Sequence, residues 1–442
     1  MQRFILSSWT TLFNQVVTHV RVPLHRNAYL LAFSTAATAG LGALYWVLAA
    51  RRYPAAEVGL HSAVVATVMF LSGLAQFDLV NVLNRFVPSV GRAVGRLVKY
   101  SYLLTLVASA AAALIFAVGE PIWTPERSIL ETNAPYLTWF AFAVMAWSIF
   151  SLQDSVLIGL RSTTWVPIEN IVTSGLRVVM LVLFATLIPQ YGILASWSIP
   201  LFLAIIPINY LIFRRLIPAH VISQKKSSAD LPVRPIATFA ASNYVGTLFF
   251  LISTLLLPLI VVSRAGAEAN AYFYMVWVLR GSLDLIPMNM ALSLTTEGAI
   301  DQAKMPQFMR QMWTQMLRLM LPVVLIIFIG AEPILAIFGA SYSAAGATLL
   351  RLVALTVFPK TIIILFLSAA RVFHQSKRII AIQGWLSVLI LGLSFPLLDW
   401  LGITGVGIAW LISHTLVAAV LLVMQLRVRA KQSATQGTRF VP

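Results

Sequence analysis

The chain has 442 residues, 60% of them apolar and only 10% charged, with a mean hydropathy of +0.88. A soluble protein of this length needs far more charge to cover its surface, and the lack of cysteine removes disulfides and thiolate metal sites outright. A net charge of +17 would point to nucleic acid in a soluble protein, whereas in a membrane protein it reflects Lys and Arg retained in cytoplasmic loops, so their distribution decides between the two.

The first 26 residues contain an interrupted apolar run with no small-residue cleavage pattern after it, which argues against a cleaved signal. Ile5, Trp9, Leu12, Phe13, Val16, Val17 and Val20 fall at helical spacing. Two readings stay open for this segment: an amphipathic helix on the membrane surface, or a loosely ordered leader. Twelve apolar runs follow, near 28–49, 58–82, 97–118, 133–157, 163–188, 192–213, 236–262, 271–295, 310–330, 346–369, 377–398 and 403–426. Runs of about 20 apolar residues predict membrane-spanning helices rather than the short alternating strands of a barrel.

Basic residues sort by side. The N-terminus, the alternate loops and the tail hold 22 of the 31 Lys and Arg, the opposite loops hold four (Arg51, Arg52, Arg127, Arg264), and five fall inside spans. That asymmetry predicts cytoplasmic termini and makes nucleic-acid binding an unneeded explanation of the charge. The chain also repeats itself weakly. Glu57 in "ARRYPAAEVG" and Glu268 in "VSRAGAEANA" lie 211 apart, Arg161 and Arg371 210, Trp197 and Trp410 213, and Arg214 and Arg427 213. Six spans per repeat is an even number, so the repeats run parallel, as in transporters that rock about a central cavity.

The expected fold is therefore an all-α integral membrane protein of twelve transmembrane helices in two parallel six-helix repeats around a central cavity. The expected divisions are an interfacial segment at 1–26, an N-terminal half at 27–213, a cytoplasmic linker at 214–235, a C-terminal half at 236–426 and a cytoplasmic tail at 427–442.

The stretch after the first span, with Ala50, Arg51, Pro54, Glu57 and Gly59, followed by Phe77, Leu79 and Arg85 at the close of the second, resembles the signature of the oligosaccharide flippases. These belong to the multidrug/oligosaccharidyl-lipid/polysaccharide exporter superfamily. Asp78 stands where that signature usually has Gly, and "GITGVGIAW" at the start of the last span extends the likeness along the chain. The resemblance implies a protein of the bacterial cytoplasmic membrane that moves a lipid-pyrophosphate-linked oligosaccharide, a precursor of O-antigen or exopolysaccharide, to the outer leaflet by alternating access. Its partners would be that lipid-linked substrate, membrane lipids and H+ or Na+ as a candidate coupling ion, with no nucleic acid and no cofactor.

Charges inside the spans point the same way. Arg177, Arg280, Asp284 and Lys360 fall near the middle of their spans, where each costs at least about 2.5–3.5 kcal/mol if it faces lipid. Three positives against one negative suit a pyrophosphate, which Arg grips in bidentate fashion and Lys as a point charge. These four are the candidate substrate-binding residues. Asp284 is read as the counter-ion of Arg280 one turn away, with a coupling carboxylate as the alternative. Asp78, Asp154 and Arg318 lie near span ends and are expected to snorkel; Arg351 is expected to reach headgroups. Pro258, Pro287, Pro322, Pro359 and Pro396 predict kinks or static packing adjustments.

Two other functions compete: a cation-coupled multidrug exporter of the same superfamily, which would favour acidic rather than basic central residues, and a membrane glycan polymerase or glycosyltransferase. The six histidines show no metal spacing. The longest external loop, "GEPIWTPERSILETNAP", has no cluster of catalytic acids with a companion histidine, so the chain is expected not to be an enzyme.

Overall fold

The computed structural model describes residues 23–123, 130, 133–223 and 230–437. The N-terminal segment before residue 23, much of the loop at 119–135, part of the linker at 214–235 and the last five residues lie outside the described residues. Those described are helical, with no strand among them.

The helices are α1 (Pro23–Arg52), α2 (Ala55–Ala75), α3 (Leu79–Phe86), α4 (Val94–Trp123), α5 (Ala134–Gly159), α6 (Trp165–Leu187), α7 (Gly192–Leu211), α8 (Ile217–Ser223), α9 (Val233–Leu255), α10 (Leu257–Ala265), α11 (Ala267–Ile300), α12 (Met305–Ile329), α13 (Ala331–Ala336), α14 (Ala340–Leu355), α15 (Val357–Val372), α16 (Ser376–Leu401) and α17 (Ile403–Gly437). Each of the twelve expected spans falls on one helix or on two consecutive ones. Ten stretches of the described residues are long and apolar enough to cross a membrane; the two expected spans outside that set are those of α1 and α11.

Three expected spans are broken, for three different local reasons. The second breaks between α2 and α3, where Phe77 and Asp78 take positive φ of 48° and 62°. Such backbone suits glycine, and among the rest Asp tolerates it well because its short side chain bonds locally; Asp78 accepts from Asn81 Nδ2 at 2.8 Å. The family signature's usual glycine at this position therefore has a backbone reason. Asp78 is also buried, so it does not snorkel as expected. The seventh span breaks before Pro258, which has no N–H to offer the carbonyl of Thr254 four residues back; Trp277 Nε1 donates to that carbonyl instead, at 3.1 Å. The tenth breaks at Thr356, and Pro359 sits in the first turn of α15, where a missing N–H costs little.

Helix endings expose the repeat more clearly than the sequence does. At the end of α5, Ser162 N donates to Leu157 O and Arg161 N to Ile158 O, with Arg161 at φ 59°. At the end of α15, Gln375 N donates to Ala370 O and His374 N to Arg371 O, with His374 at φ 55°. These are the paired bonds of a Schellman cap. Every residue of the first cap matches one 213 positions later in the second, which pairs Arg161 with His374 and not, as the sequence landmark had it, with Arg371.

Contacts divide the chain into two compact units. The first comprises the described residues up to Leu48 with Ala75–Ala111 and Ala141–Ala240. Its core gathers Leu83, Val87, Val94 and Val98 with Leu152, Val156, Ile208 and Ile212. The second comprises Ala49–Leu74, Ala112–Phe140 and the described residues from Ala241 on. It has one apolar cluster around Leu283, Met320, Ala354 and Val357, and another around Leu294, Met305, Leu365 and Val372.

The "ARRYPAAEVG" stretch has a packing role in the second unit. Arg51 donates to the carbonyls of Ala336 and Ile337 at 2.8 and 2.9 Å, closing the C-terminus of α13, where a cation is favoured. Gly59 lies against α11 so closely that a Cβ would overlap the Ala267 carbonyl, and Asn270 Nδ2 donates to Gly59 O at 2.7 Å. Arg51 and Gly59, two of the residues that carry the sequence resemblance, thus hold helices together.

Candidate functional site

In the second unit, α11, α15 and α17 bring three of the four candidate residues toward one another. Arg280 NH1 lies 2.9 Å from Asp284 Oδ2, one turn along α11 as the spacing predicts. Lys360 of α15 reaches the other oxygen, Oδ1, at 2.6 Å. Asp284 is therefore a shared counter-ion, and the trio keeps one positive charge in excess. Arg280 and Asp284 are each only 9% exposed.

Aromatic rings complete the setting. The Arg280 guanidinium carbon sits 4.1 Å from the Trp277 ring centroid and 5.2 Å from that of Trp410, while Lys360 Nζ is 5.9 Å from the Trp410 centroid. The two indoles meet edge to face at 4.8 Å. Cation–π contacts of this kind contribute about 0.5–1 kcal/mol when exposed and about 2 when desolvated. Trp277 cannot drift, because its N–H is the donor that satisfies Thr254 beside the Pro258 break. Four residues past Trp410 on α17, the buried His414 holds the Trp410 carbonyl through Nδ1 at 2.8 Å. Arg280 Nε is buried with no hydrogen-bond partner. The cluster thus offers a partly unsatisfied guanidinium and a net positive charge in an apolar span, both of which an anion would complete.

Arg177, the fourth candidate, belongs to the first unit and is not part of this trio. Its Nε donates to the Trp197 carbonyl at 3.0 Å, and its guanidinium carbon lies 4.8 Å from the Trp197 centroid and 5.5 Å from that of Trp147. Trp197 and Trp410 are the tryptophans 213 apart in the sequence, and each lies under a basic side chain from another helix of its own unit.

Sequence reading missed Trp277, Trp410 as a cation partner, and His414. Trp410 stood out only as a repeat landmark, and His414 only as one histidine outside any metal spacing. The steps of three and four residues from Trp410 to His414 and from Phe273 through Trp277 to Arg280 and Asp284 carry the usable signal. Arg351, expected among headgroups, pairs with Glu332 at 2.9 Å and donates to the Phe328 carbonyl.

The sequence profile of the family described as "Polysaccharide biosynthesis protein" matches residues 24–292. No curated protein matches significantly. Among solved structures, the inward-facing conformation of a multidrug resistance MATE family transporter of the MOP superfamily superposes with a TM-score of 0.71 at 14% identity, over 90% of this chain and 95% of that one. The outward-facing conformation of a MATE transporter described in the same words gives 0.64 at 15% identity, over 92% and 97%. A MOP superfamily transporter from Pyrococcus furiosus, whose title states that the reverse polarity of its binding pocket suggests a different function, gives 0.61 at 14% identity, over 91% and 96%. At these identities the likeness establishes the fold, that of a membrane transporter.

Proposed function

The chain belongs to the polysaccharide biosynthesis protein family, and from that membership and the charge of the α11 cluster we propose that it flips a lipid-pyrophosphate-linked oligosaccharide across the bacterial cytoplasmic membrane. One observation carries the substrate class: Asp284 is shared by Arg280 and Lys360, so a positive charge remains uncompensated among buried indoles. A pyrophosphate diester supplies the missing negative charge, and the planar guanidinium can hold two of its oxygens at once. A carrier of organic cations would gain nothing from such a cluster. The Pyrococcus furiosus relative, with its reversed pocket polarity, indicates that this fold tolerates such a change of charge. The 22-to-4 distribution of basic residues supports cytoplasmic termini.

The test is leaflet-resolved measurement of lipid-linked glycan in vesicles, normalised to protein. Arg280→Ala leaves the Lys360–Asp284 pair intact, so abundance stays near normal. Flipping falls by roughly 10- to 150-fold, the equivalent of about 1.5–3 kcal/mol for a hydrogen bond to a charged group. Lys360→Ala gives a milder loss, since a point charge grips less well than a fork. Asp284→Ala strips two buried cations of their counter-ion and lowers abundance most. Wild-type flipping by Arg280→Ala would show that the cluster serves folding alone. Efflux of an organic cation from the same vesicles, with no glycan flipping, would decide for the multidrug reading.

A further inference from the structure

One end of the first unit carries a line of cations that runs into a lipid-facing apolar surface. On α4, Val94, Val98, Ser101 and Thr105 are buried, and steps of three and four residues set them on one face. The opposite face is exposed. There Arg92, in the turn leading into the helix, is followed at the same steps by Arg96 and Lys99, and then by Leu103 and Val107. The three cations span about 10 Å of helix axis and the apolar residues about the next 12 Å. No acidic residue occurs between 91 and 119, and no ion pair among the described residues reaches Arg92 or Lys99.

The end of α7 has the same pattern. Leu201, Ile208 and Ile212 are buried, while Leu203, Ile206 and Tyr210 are exposed. One turn past Tyr210, the exposed Arg214 sits in the widened π turn Ile212–Leu216. The two helices border each other here. A Cβ on Gly95 of α4 would lie 3.5 Å from Ile217 Cγ2, and the exposed Phe213 meets Tyr102 of α4 edge to face at 6.0 Å. Val94, Leu97, Ile212 and Ile217 share one apolar core beneath this border.

In a bilayer, acyl chains cover the apolar part of such a surface, and the cations reach the headgroup layer. A zwitterionic headgroup brings its own ammonium and leaves the cations uncompensated, whereas an anionic one neutralises them. We propose that the border of α4 and α7 binds one anionic phospholipid. Arg92, Arg96 and Lys99 hold its phosphate with Arg214 of the neighbouring helix, and its chains lie along Leu103, Val107 and Ile206. The distribution of basic residues assigns this end to the cytoplasm, so the lipid belongs to the inner leaflet. The repeat shows that the fold does not require these charges. Their counterparts 213 positions on are Met305, Met309 and Met312, which pack into an apolar cluster of the second unit. The proposal rests on the membrane-transporter fold and not on the glycan substrate.

The experiment is native mass spectrometry of the purified full chain in detergent, titrated with phosphatidylglycerol or phosphatidylethanolamine of equal chain length. Wild type should take up one phosphatidylglycerol in preference to phosphatidylethanolamine. Arg92→Gln with Lys99→Gln should weaken phosphatidylglycerol roughly 25-fold, about fivefold for each cation removed, and leave phosphatidylethanolamine unchanged. Should that variant fail to assemble, Lys99→Gln alone carries the test at about fivefold. Lys377→Gln with Arg378→Gln removes the same charge from exposed positions at the start of α16 and should change neither lipid. Equal weakening by the two pairs would reduce the effect to diffuse attraction and overturn the proposal. So would a short-chain phosphatidylglycerol binding as tightly as the long one, or displacement of the lipid by inorganic phosphate at equal concentration. Tighter binding of a lipid-linked glycan than of phosphatidylglycerol, lost in Arg92→Gln with Lys99→Gln, would make the surface a substrate site and overturn it too. Absence of glycan flipping in a chain that retains phosphatidylglycerol sinks the flippase reading and keeps the lipid site.

Discussion

Arg161 and His374 each end a helix in the left-handed region, at φ 59° and 55°, where an L side chain costs about 1–2 kcal/mol and glycine almost nothing. Both side chains are exposed, and neither belongs to the charge cluster of the second unit. His374→Gly and Arg161→Gly should therefore each stabilise the purified protein by about 1 kcal/mol, read as a raised midpoint of thermal unfolding in detergent. A lowered midpoint would mean that the side chain contributes more than its backbone strain costs. Asp78 should behave differently: Asp78→Gly removes its bond to Asn81, so the gain is smaller. At this scale the sequence is legible where partners are neighbours on one helix. Arg280 and Asp284 pair at the predicted spacing, but the approach of Lys360 from α15 depends on tertiary packing that no spacing encodes.

The break between α9 and α10 ties a proline to the charge cluster. Pro258 frees the Thr254 carbonyl, the Trp277 indole N–H takes it, and the same indole lies against Arg280. A buried carbonyl left without a donor costs about 1–3 kcal/mol. Trp277→Phe should therefore destabilise the native protein by about that amount beyond its lost cation–π contact. Pro258→Ala restores a backbone N–H, so in that background the cost of Trp277→Phe should shrink, giving a coupling of about 1 kcal/mol in a double-mutant cycle of unfolding midpoints. Strict additivity would show that the indole bond carries no stability. Spans were legible as elements because an apolar run of membrane length has few alternatives. Their interruptions were not, since Phe77 and Asp78 bend the chain without a glycine or proline, and a proline in the sequence does not reveal which group will satisfy its freed carbonyl.

For the molecule as a whole, composition and apolar runs were enough to give an all-α membrane fold. The repeat was visible only as scattered landmarks until the matching helix caps fixed it. Its tightest point is Gly59 against Ala267. Gly59→Ala would drive a methyl into a backbone carbonyl that has no flexible end to yield, an overpacking cost of about 1–3 kcal/mol or more. Membrane abundance and the unfolding midpoint should both fall, far more than for Gly175→Ala, where a Cβ meets nothing within 4 Å. Equal behaviour of the two variants would show that this joint adjusts freely.

The bond from Asn270 to Gly59 joins residues 211 apart, the same interval that relates Glu57 to Glu268. Ala267 and Asn270, one turn apart on α11, close on the same glycine, the first by leaving no room for a side chain and the second by a side-chain bond to its carbonyl. A change at position 59 is felt at both, so two stretches about two hundred residues apart in sequence can drift here only together.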